Sequence, residues 1–582
     1  MLHWLFIASL FASTLSIIIM RHNIGSRTAV IALVAASSVY THPTSRGKDA
    51  VMLDIPETAQ GASIPHSSSF ASFSIDPAFW VEFFGNASTP NPLTFRLLNL
   101  IWDHGGQPNI RPGGITMDSM IFDASAGNPV RTTSPDGGVY RTTVGPEYYE
   151  SWSNFPNGTK FVSTLNFGNE SLDIARDMAV ATVTYQPDKV KYFELGNEPT
   201  NYEESRWNDS TTAYIAQWQR YTAAIDAAVN DVLGDSNELG SERWWASSAT
   251  TDVTGLEVRP ADLIPAGINS ADQVAEYSIH SYAFSTCDPE RAALATAANI
   301  LNHTGLAEYA DEEIYPSARA ALDAGSPWVI GEFNSISCSG NPNVSDTFAQ
   351  ALWVIDSNFI YASRNASNCY LHQGATLAFQ SDNQVNTPSE DGPGYSTYSM
   401  LYPQDSKLRG EARVLPSFSA QIFLAESFGT DGTQIQNLTV PAGVDEDYFA
   451  AYAFYNDDDL TKLAIINMHP YYANSTSDYT AHIDLSAYVE GNGHGWRSKW
   501  GHHRGGRWGH KGDECKDDKH DDAPYIKRLT APYTDTKDAS LTTWAGQTSV
   551  DGTVNGEEKL ESIGRDGTVS VRGGEAVLVF LD

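Results

Sequence analysis

The chain has few basic residues for its length. Its 582 residues include 36 lysines and arginines against 71 aspartates and glutamates, which gives a formal net charge of -35. A field of that sign repels nucleic acid and highly sulfated polymers, so neither is an expected partner. The acidic composition suits a protein that works in mildly acidic surroundings. It is equally explained by the general contribution of charge to solubility.

Cysteine is also scarce. The chain has four cysteines, Cys287, Cys338, Cys369 and Cys515, and their spacing contains no CxxC unit that would indicate a zinc site. We therefore expect a disulfide rather than a metal, and the sequence implies no cofactor. Four cysteines allow three full pairings; Cys287 with Cys338 is favoured because both follow neighbouring candidate strands.

The first 42 residues are predicted to be a secretory signal peptide. Read from Met20 as the start, they show a positive region, an apolar region over Ala29 to Ala36, and small residues from Ala36 to Ser38. The alternative is that Leu2 to Ile19 is a retained membrane anchor. Sequons for N-glycosylation favour secretion, with no membrane association after cleavage; they begin at Asn86, Asn157, Asn169, Asn208, Asn302, Asn343, Asn365, Asn437 and Asn474.

Residues 43–69 form an N-terminal segment rich in Ser, Pro, Gly and Thr, with one strand-like island at Val51 to Ile55. Residues 70–410 then alternate strand and helix patterns. Candidate helices include Thr94 to Trp102, Thr211 to Leu233, Ile314 to Ala324 and Ser345 to Ala362. The candidate strands are Phe70 to Ile75, Asn109 to Gly114, Lys160 to Gly168, Tyr192 to Pro199, Trp244 to Thr250, Glu276 to Phe284, Pro327 to Ser335 and Asn368 to Gly374. Eight such units predict an α/β fold, a (β/α)8 barrel, although Ala375 to Gln380 could replace the last strand.

Residues 411–582 show a different pattern. One helix, Pro416 to Phe428, precedes short strands with no helices between them, including Asp447 to Tyr455, Lys462 to Met468, Tyr525 to Ala531 and Ala576 to Leu581. This pattern predicts a C-terminal β-sandwich. A His/Gly-rich insertion at 491–522 lacks apolar periodicity and is interpreted as a low-complexity loop rather than as a metal site.

Two candidate strands end on a glutamate. The first runs into Asn197-Glu198-Pro199, and the other contains Gly331-Glu332. In a (β/α)8 barrel the chemistry occurs at the C-terminal ends of the strands, and glycosidic bond cleavage needs two carboxyl groups placed there. We predict Glu332 as the nucleophile and Glu198 as the acid/base of a retaining glycoside hydrolase.

Other polar residues lie at the same strand ends. The Asn197 amide can hydrogen-bond the 2-OH of a sugar, and Tyr282 can donate to the nucleophile. His280 could serve the site or could be a satisfied core histidine. Asn-Glu-Pro alone is a weak signal, since Asn and Pro commonly end strands; its pairing with Gly331-Glu332 makes the glycosidase interpretation stronger.

Four motifs together resemble glycoside hydrolase family 79, which contains β-glucuronidases and heparanases: Ile110-Arg-Pro-Gly-Gly114, Leu165-Asn-Phe-Gly168, Gly196-Asn-Glu-Pro199 and Gly331-Glu-Phe-Asn-Ser335. The resemblance runs from about Ser63 to the C-terminus. It implies a barrel carrying a β-sandwich that an N-terminal strand joins, with Val51 to Ile55 as the candidate. It also implies Glu198 as acid/base, Glu332 as nucleophile, and sugar contacts at Asn197 and Tyr282. The insertion at 491–522 departs from the family pattern.

The resemblance implies removal of terminal β-glucuronosyl, or 4-O-methyl-glucuronosyl, residues from a glycan. We expect the enzyme to be a monomer. Donors to the sugar carboxylate are predicted among the backbone N–H groups after Glu332, near Asn334 and Ser335, and among the tyrosines of the loop from Tyr395 to Tyr402, Tyr402 included. Arg111 could be a further ligand, but its place beside two glycines favours an internal brace. The alternatives are a neutral β-glycosidase of the same clan, a carbohydrate-binding protein without activity, and a metal-buffering protein that relies on the His-rich loop.

Overall fold

The computed structural model describes residues 50–136, 139–234, 239–251, 256–376, 394–429, 431–489, 523–564 and 567–581. The predicted signal peptide, the His/Gly-rich insertion at 491–522 and Cys515 lie outside these ranges. No helix within them is both long enough and apolar enough to cross a membrane.

Eight parallel strands close into a barrel in chain order, which confirms the predicted (β/α)8 fold. Each barrel strand overlaps one of the eight candidates from the sequence. The first to eighth strands are Ala71–Ile75, Ile110–Pro112, Phe161–Leu165, Val190–Leu195, Trp244–Thr250, Val274–Ser281, Trp328–Phe333 and Ala366–Gln373. Ala375–Thr376 is a separate short strand that pairs with Gly394–Tyr395, so it does not replace the eighth strand.

Helices follow the strands around the outside of the barrel. Thr211–Leu233 has the predicted bounds, and its N-cap Ser210 accepts a hydrogen bond from the Ala213 amide. The other helices in this part of the chain are Trp80–Phe84, Pro92–Asp103, Pro146–Glu150, Leu172–Tyr185, Pro260–Leu263, Pro289–Ala292, Ala297–Ile300, His303–Tyr309, Tyr315–Asp323 and Phe348–Ser363. One feature was not predicted: a small sheet follows the second barrel strand and is built from Met120–Phe122, Val130–Asp136 and Val139–Val144.

The barrel interior has an apolar layer near its N-terminal end. Val162, Trp245, Val329 and Tyr370 pack together there, all at most 1% exposed. This layer fills the barrel, as in other (β/α)8 folds, so access to the interior polar groups is from the C-terminal ends of the strands.

The C-terminal region contains a β-sandwich, as predicted. The helix Phe418–Phe428 leads into the larger sheet, whose strands are Gln434–Asn437, Phe449–Asn456, Asp459–Asn467, Glu575–Phe580, Tyr525–Thr530, Thr543–Trp544 and Glu561–Ser562. The smaller sheet combines Ala481–Asp484 with Thr568–Val571 and the N-terminal strand Val51–Met52. Val51 pairs with Ile483, which confirms that the N-terminal island joins the sandwich.

Side chains of the larger sheet alternate between its two faces, and both faces are buried. Phe454 and Ile466 belong to the same apolar cluster as the barrel helices, whereas Tyr455 and Ile465 pack with the smaller sheet. Barrel and sandwich therefore share one core, and the described part of the chain from residue 50 onward forms one unit. The predicted boundary between residues 410 and 411 stays a prediction.

Cys287 and Cys338 form a disulfide with a Cα–Cα distance of 5.4 Å, which confirms the favoured pairing. It joins the segment that follows the sixth barrel strand to the segment that follows the seventh. Cys369 is a free, buried cysteine in the eighth strand.

Candidate active site

The two predicted glutamates meet at the C-terminal mouth of the barrel. Glu198 follows the fourth strand and Glu332 lies near the end of the seventh. One side-chain oxygen of each, together with one ring nitrogen of His280, all lie within 4.8 Å of one another. Retaining glycosidases place their two carboxyl groups about 5–5.5 Å apart, whereas inverting enzymes need about 6.5–9.5 Å to admit a water. The arrangement therefore suits retention.

A strained turn presents Glu198. Gly196 and Glu198 both have positive φ angles, 82° and 47°. A Cβ at Gly196 would lie 2.6 Å from the Tyr202 hydroxyl, so only glycine fits there. Asp118 holds the turn in place: its Oδ2 accepts hydrogen bonds from the Asn197 amide, at 3.1 Å, and from the Tyr202 hydroxyl. Such backbone strain persists only where surrounding contacts enforce it, and it is common in active sites.

Glu332 is buried and negatively charged. Its Oε2 accepts a hydrogen bond from Arg111 Nη1 at 2.7 Å, and its Oε1 accepts one from the Tyr282 hydroxyl at 2.8 Å. Burial disfavours the charged form, but the positive charges of His372, His280 and Arg111 and the Tyr282 hydrogen bond outweigh it and lower the pKa of Glu332 to about 2. The group is ionised at any working pH, as a nucleophile must be.

Arg111 and Glu194 form a fully buried ion pair beneath the site. Arg111 Nε donates to Glu194 Oε2 at 2.6 Å, and its Nη2 donates to Asn197 Oδ1 at 3.1 Å. With its bonds to Glu332 and to Ser74 Oγ, the guanidinium thus fixes four acceptors, three on barrel strands and one on the turn after the fourth strand. Burial also opposes the charge of Glu194, yet Arg111, His280 and a Ser248 hydrogen bond lower its pKa to about 2. Arg111 is therefore the internal brace that the sequence favoured, with no exposed surface for a sugar carboxylate.

His280 is a cation in this site. Its Nδ1 lies 3.1 Å from Glu198 Oε1, and its Nε2 lies 3.9 Å from Glu194 Oε1. Burial works against the imidazolium, but Glu194, Glu198 and Glu332 outweigh this effect and raise the pKa of His280 to about 9. A ring protonated on both nitrogens cannot ligate a metal, so the close grouping of His280 with the two glutamates is not suited to a cation.

The sequence analysis did not identify two further residues of the site. His372, at the end of the eighth strand, lies 3.5 Å from Glu332 Oε2 through Nδ1 and 3.5 Å from Asp76 Oδ2 through Nε2. Burial lowers its pKa, but Glu332 and Asp76 overcome that and raise it. Asp76 directly follows the first strand, so both residues lie at the C-terminal ends of barrel strands, where catalytic residues of this fold are located. Their position at predicted strand ends is the sequence signal that could have identified them.

The predicted sugar contacts fall into two groups. Asn197 and Tyr282 lie at the site. Arg111 donates to Asn197 Oδ1, so the side-chain nitrogen of Asn197 is not engaged in that bond. Asn334, Ser335 and Tyr402 do not fit the prediction, since all three are at most 1% exposed.

The hydrogen bonds of Asn334 and Ser335 explain the misfit. Asn334 donates to the His372 carbonyl and accepts from Gln350, and the Ser335 amide donates to Asn334 Oδ1. These groups are satisfied within the protein and are not available to a sugar carboxylate.

Of the loop tyrosines, Tyr398 lies at the site and Tyr402 packs elsewhere. The ring of Tyr402 stacks near Tyr395, with Arg413 on it at 4.7 Å, away from the glutamates. The loop tyrosine that does lie at the site is Tyr398, whose ring centre is 6.3 Å from that of His372.

Comparisons with known proteins agree with this architecture. The profile of the glycosyl hydrolase family 79 C-terminal beta domain matches residues 451–578. A β-glucuronidase of Aspergillus niger is 29% identical over 473 residues, which is 77% of this chain and 81% of that protein. A β-glucuronidase of Neurospora crassa is 26% identical over 479 residues, covering 79% and 81%.

A solved structure has the same fold. It is a 4-O-α-L-rhamnosyl-β-D-glucuronidase from Fusarium oxysporum, 21% identical, with a TM-score of 0.67 over 91% of this chain and 99% of that one. A family 51 α-L-arabinofuranosidase from Bifidobacterium longum, 15% identical, gives a TM-score of 0.54 over 92% of this chain. Profile, relatives and architecture agree with the four motifs: the chain is a glycoside hydrolase that is similar to glycoside hydrolase family 79.

Proposed function

We propose that the protein is a secreted, retaining β-glucuronidase that removes terminal β-glucuronosyl residues from glycans. The observation that carries the retaining mechanism is the approach of Glu198 and Glu332 to within 4.8 Å at the barrel mouth. The β-glucuronidases of Aspergillus niger and Neurospora crassa, matched over most of the chain, support the substrate.

In the first step, Glu332 attacks the anomeric carbon and Glu198 gives its proton to the leaving oxygen. The bond from sugar to aglycone breaks as the bond to Glu332 Oε forms. His280 then faces a newly ionised Glu198 at 3.1 Å, so its positive charge stabilises the carboxylate that this step creates. In the second step, Glu198 takes a proton from water, which displaces Glu332 with overall retention.

The site can receive an anionic sugar despite the acidity of the chain. Arg111, His280 and His372 lie among the carboxylates of Glu194, Glu332 and Asp76 and offset their charge. Tyr398 adds a hydroxyl near His372. The uronate is therefore expected to contact the Tyr398 hydroxyl and the His372 ring, because the Arg111 guanidinium is fully buried.

Activity on a panel of p-nitrophenyl glycosides tests this function. We expect the β-glucuronide to be cleaved far better than the β-glucoside, β-xyloside or α-arabinofuranoside, because donors meant for the C6 carboxylate stay unpaired with the others, at about 1–3 kcal/mol per donor. Equal cleavage of glucoside and glucuronide would instead support a neutral β-glycosidase.

Secretion has separate support. The disulfide requires an oxidising compartment, and five sequon asparagines are exposed: Asn157, Asn208, Asn343, Asn437 and Asn474. The full chain expressed in a fungal host is expected in the medium, with a mass that falls on treatment with an N-glycosidase. Retention of an unglycosylated chain inside the cell would refute secretion.

A further inference from the structure

A group of partly exposed aromatic side chains lies on one end of the β-sandwich. We call it the aromatic surface; it consists of Tyr448, His469, Tyr471, Tyr472, Tyr479 and Tyr533. Tyr479 is 38% exposed and Tyr533 is 37% exposed, unlike the core aromatics of the same domain, which are at most a few per cent exposed. Packing of the core does not require rings this exposed, so a grouped set of them indicates a binding surface.

The rings are arranged as two adjoining platforms. Tyr479 stacks on His469 at 3.5 Å and 10°, and the His469 ring is 5.0 Å from that of Tyr448. In the second platform Tyr471 lies 5.8 Å from Tyr533, and the Arg572 guanidinium is 4.5 Å from the Tyr471 ring. Each exposed ring is thus supported by a second ring.

Hydrogen bonds fix the second platform, and the glycine turn after Arg572 contacts both platforms. Thr534 N donates to the Tyr471 carbonyl at 2.8 Å, and Tyr471 N donates back to Thr534 Oγ1 at 2.8 Å. The glycine turn after Arg572 separates the platforms: Gly573 N donates to the Asp478 carbonyl at 2.9 Å, and a Cβ at Gly574 would lie 2.9 Å from Thr534 Oγ1. A surface fixed in this way loses little conformational entropy when it binds.

One loop of the aromatic surface is attached near the catalytic end of the barrel. The helix Phe348–Ser363 follows the strand that carries Glu332, so its first residues lie at the catalytic end of the barrel. Phe348 N donates to the Thr536 carbonyl at 2.8 Å, and Ala349 N donates to the Thr534 carbonyl at 2.9 Å. The loop that contains Tyr533 is therefore attached to the catalytic face.

We propose that the aromatic surface binds neutral sugar rings of a polymeric glycan whose terminal residue occupies the catalytic site. The proposal rests on the proposed function. Pyranose rings present apolar faces that pack on aromatic rings, while tyrosine hydroxyls meet their polar edges. Asp445, Asp478 and Asp535 lie beside the rings in a chain of net charge -35, so an anionic polymer is disfavoured there.

Affinity electrophoresis tests the proposal directly. Neutral xylan, β-glucan and galactan are included separately in native gels, with a sulfated glycan as a charged comparison. We expect at least one neutral polysaccharide to retard the wild-type protein, and the double variant Tyr479→Ala/Tyr533→Ala to bind it at least tenfold more weakly. The matched variant Tyr479→Phe/Tyr533→Phe keeps both rings and is expected to stay within about threefold of wild type. A further control is Tyr185→Ala, at the end of a helix on the opposite side of the barrel, which is expected to bind as well as wild type.

Cleavage of p-nitrophenyl β-glucuronide is measured on the same variants and is expected to change less than twofold. If the wild type does not cleave this compound, the proposed function fails, while the binding result stands by itself. If no neutral polysaccharide retards the wild type, or if the double alanine variant binds as well as wild type, the inference about the aromatic surface is overturned. Preferential binding of the sulfated glycan would also overturn it.

Discussion

Glu332 combines burial with a negative charge, because Arg111, His280 and His372 surround it. Replacing it with glutamine removes the proposed nucleophile while keeping the size of the side chain. We expect Glu332→Gln to lose at least about 10³-fold in kcat, since no other side chain can replace the nucleophile. Hydrolysis of p-nitrophenyl β-glucuronide measures the effect.

Glu276→Gln is the matched control. Glu276 is also a buried carboxyl in a barrel strand, but it accepts from Trp245 Nε1 near the opposite end of the barrel. Its replacement should leave kcat within a few-fold of wild type. A correctly folded Glu332→Gln enzyme with more than a few per cent of wild-type activity would rule Glu332 out as nucleophile.

Glu198→Ala tests the acid/base. A phenolate with a low pKa departs without a proton, so the loss of kcat/KM should be small for activated aryl glucuronides and large for natural glycans. Added azide should restore turnover and give a β-glucuronosyl azide, which mass spectrometry and NMR detect. The assignment fails if both substrate types lose activity equally and azide has no effect.

Sequence patterns identified residues that a local motif marks at the end of a strand. They missed residues whose role depends on the direction in which the side chain points. Glu198 and Glu332 each end an apolar strand, so both could be found. Glu194 lies four residues before Glu198, but the sequence does not show that it points to Arg111 inside the barrel. The sequence also does not show the direction of the Asn334 side chain, whose Oδ1 accepts a hydrogen bond from Gln350.

Among the elements, the second and fourth strands depend on Arg111. Without the guanidinium, the buried carboxylates Glu194 and Glu332 would each lose their arginine partner, and breaking a buried ion pair costs about 3–5 kcal/mol. Arg111→Met should lower the free energy of unfolding by that amount, as measured by urea denaturation. The control is Arg319→Met: its pair with Asp323 is 61% and 64% exposed, so its loss should cost less than about 1 kcal/mol. Equal effects of the two variants would contradict the role of Arg111 as a brace.

Stability at the strand ends should depend on pH. The pKa of Glu332 falls from 4.5 to about 2 on folding, so its contribution is complete above pH 4.5 and is lost as pH falls toward 2. His280 acts in the opposite sense: its pKa rises from 6.5 to about 9, and its contribution is lost as pH rises through 9. Urea midpoints between pH 5 and 3 should therefore fall more steeply for wild type than for Glu332→Gln. Parallel curves would contradict the lowered pKa.

Element prediction succeeded where hydrophobic periodicity is strong. The helix Thr211–Leu233 and the eight barrel strands are long or apolar enough to be read from the sequence. The sheet that includes Val130–Asp136 and Val139–Val144 was missed, because its Thr-, Ser- and Arg-containing strands lack an apolar pattern. These strands are stabilised by pairing with one another, and the β-propensity of each segment alone does not predict that pairing.

At the scale of the whole molecule, the larger sheet joins barrel and sandwich through a core on each of its faces. Phe454 packs against Phe359 of a barrel helix, with ring centres 5.2 Å apart. We expect Phe454→Ala to cost about 3–5 kcal/mol and to lower the temperature of a single calorimetric transition shared by barrel and sandwich. Two separated transitions, with only the sandwich destabilised, would show that the two parts unfold independently.

The central claim is that this glycoside hydrolase cleaves β-glucuronides through a covalent bond to Glu332. A 2-deoxy-2-fluoro-β-glucuronosyl fluoride tests it most directly, because fluorine slows the second step and the intermediate accumulates. We predict time-dependent inactivation, a mass increase of one fluoroglucuronosyl group, and location of that group on the peptide that contains Glu332. An enzyme that cleaves β-glucuronides but is labelled on another residue, or is not labelled at all, would contradict the account.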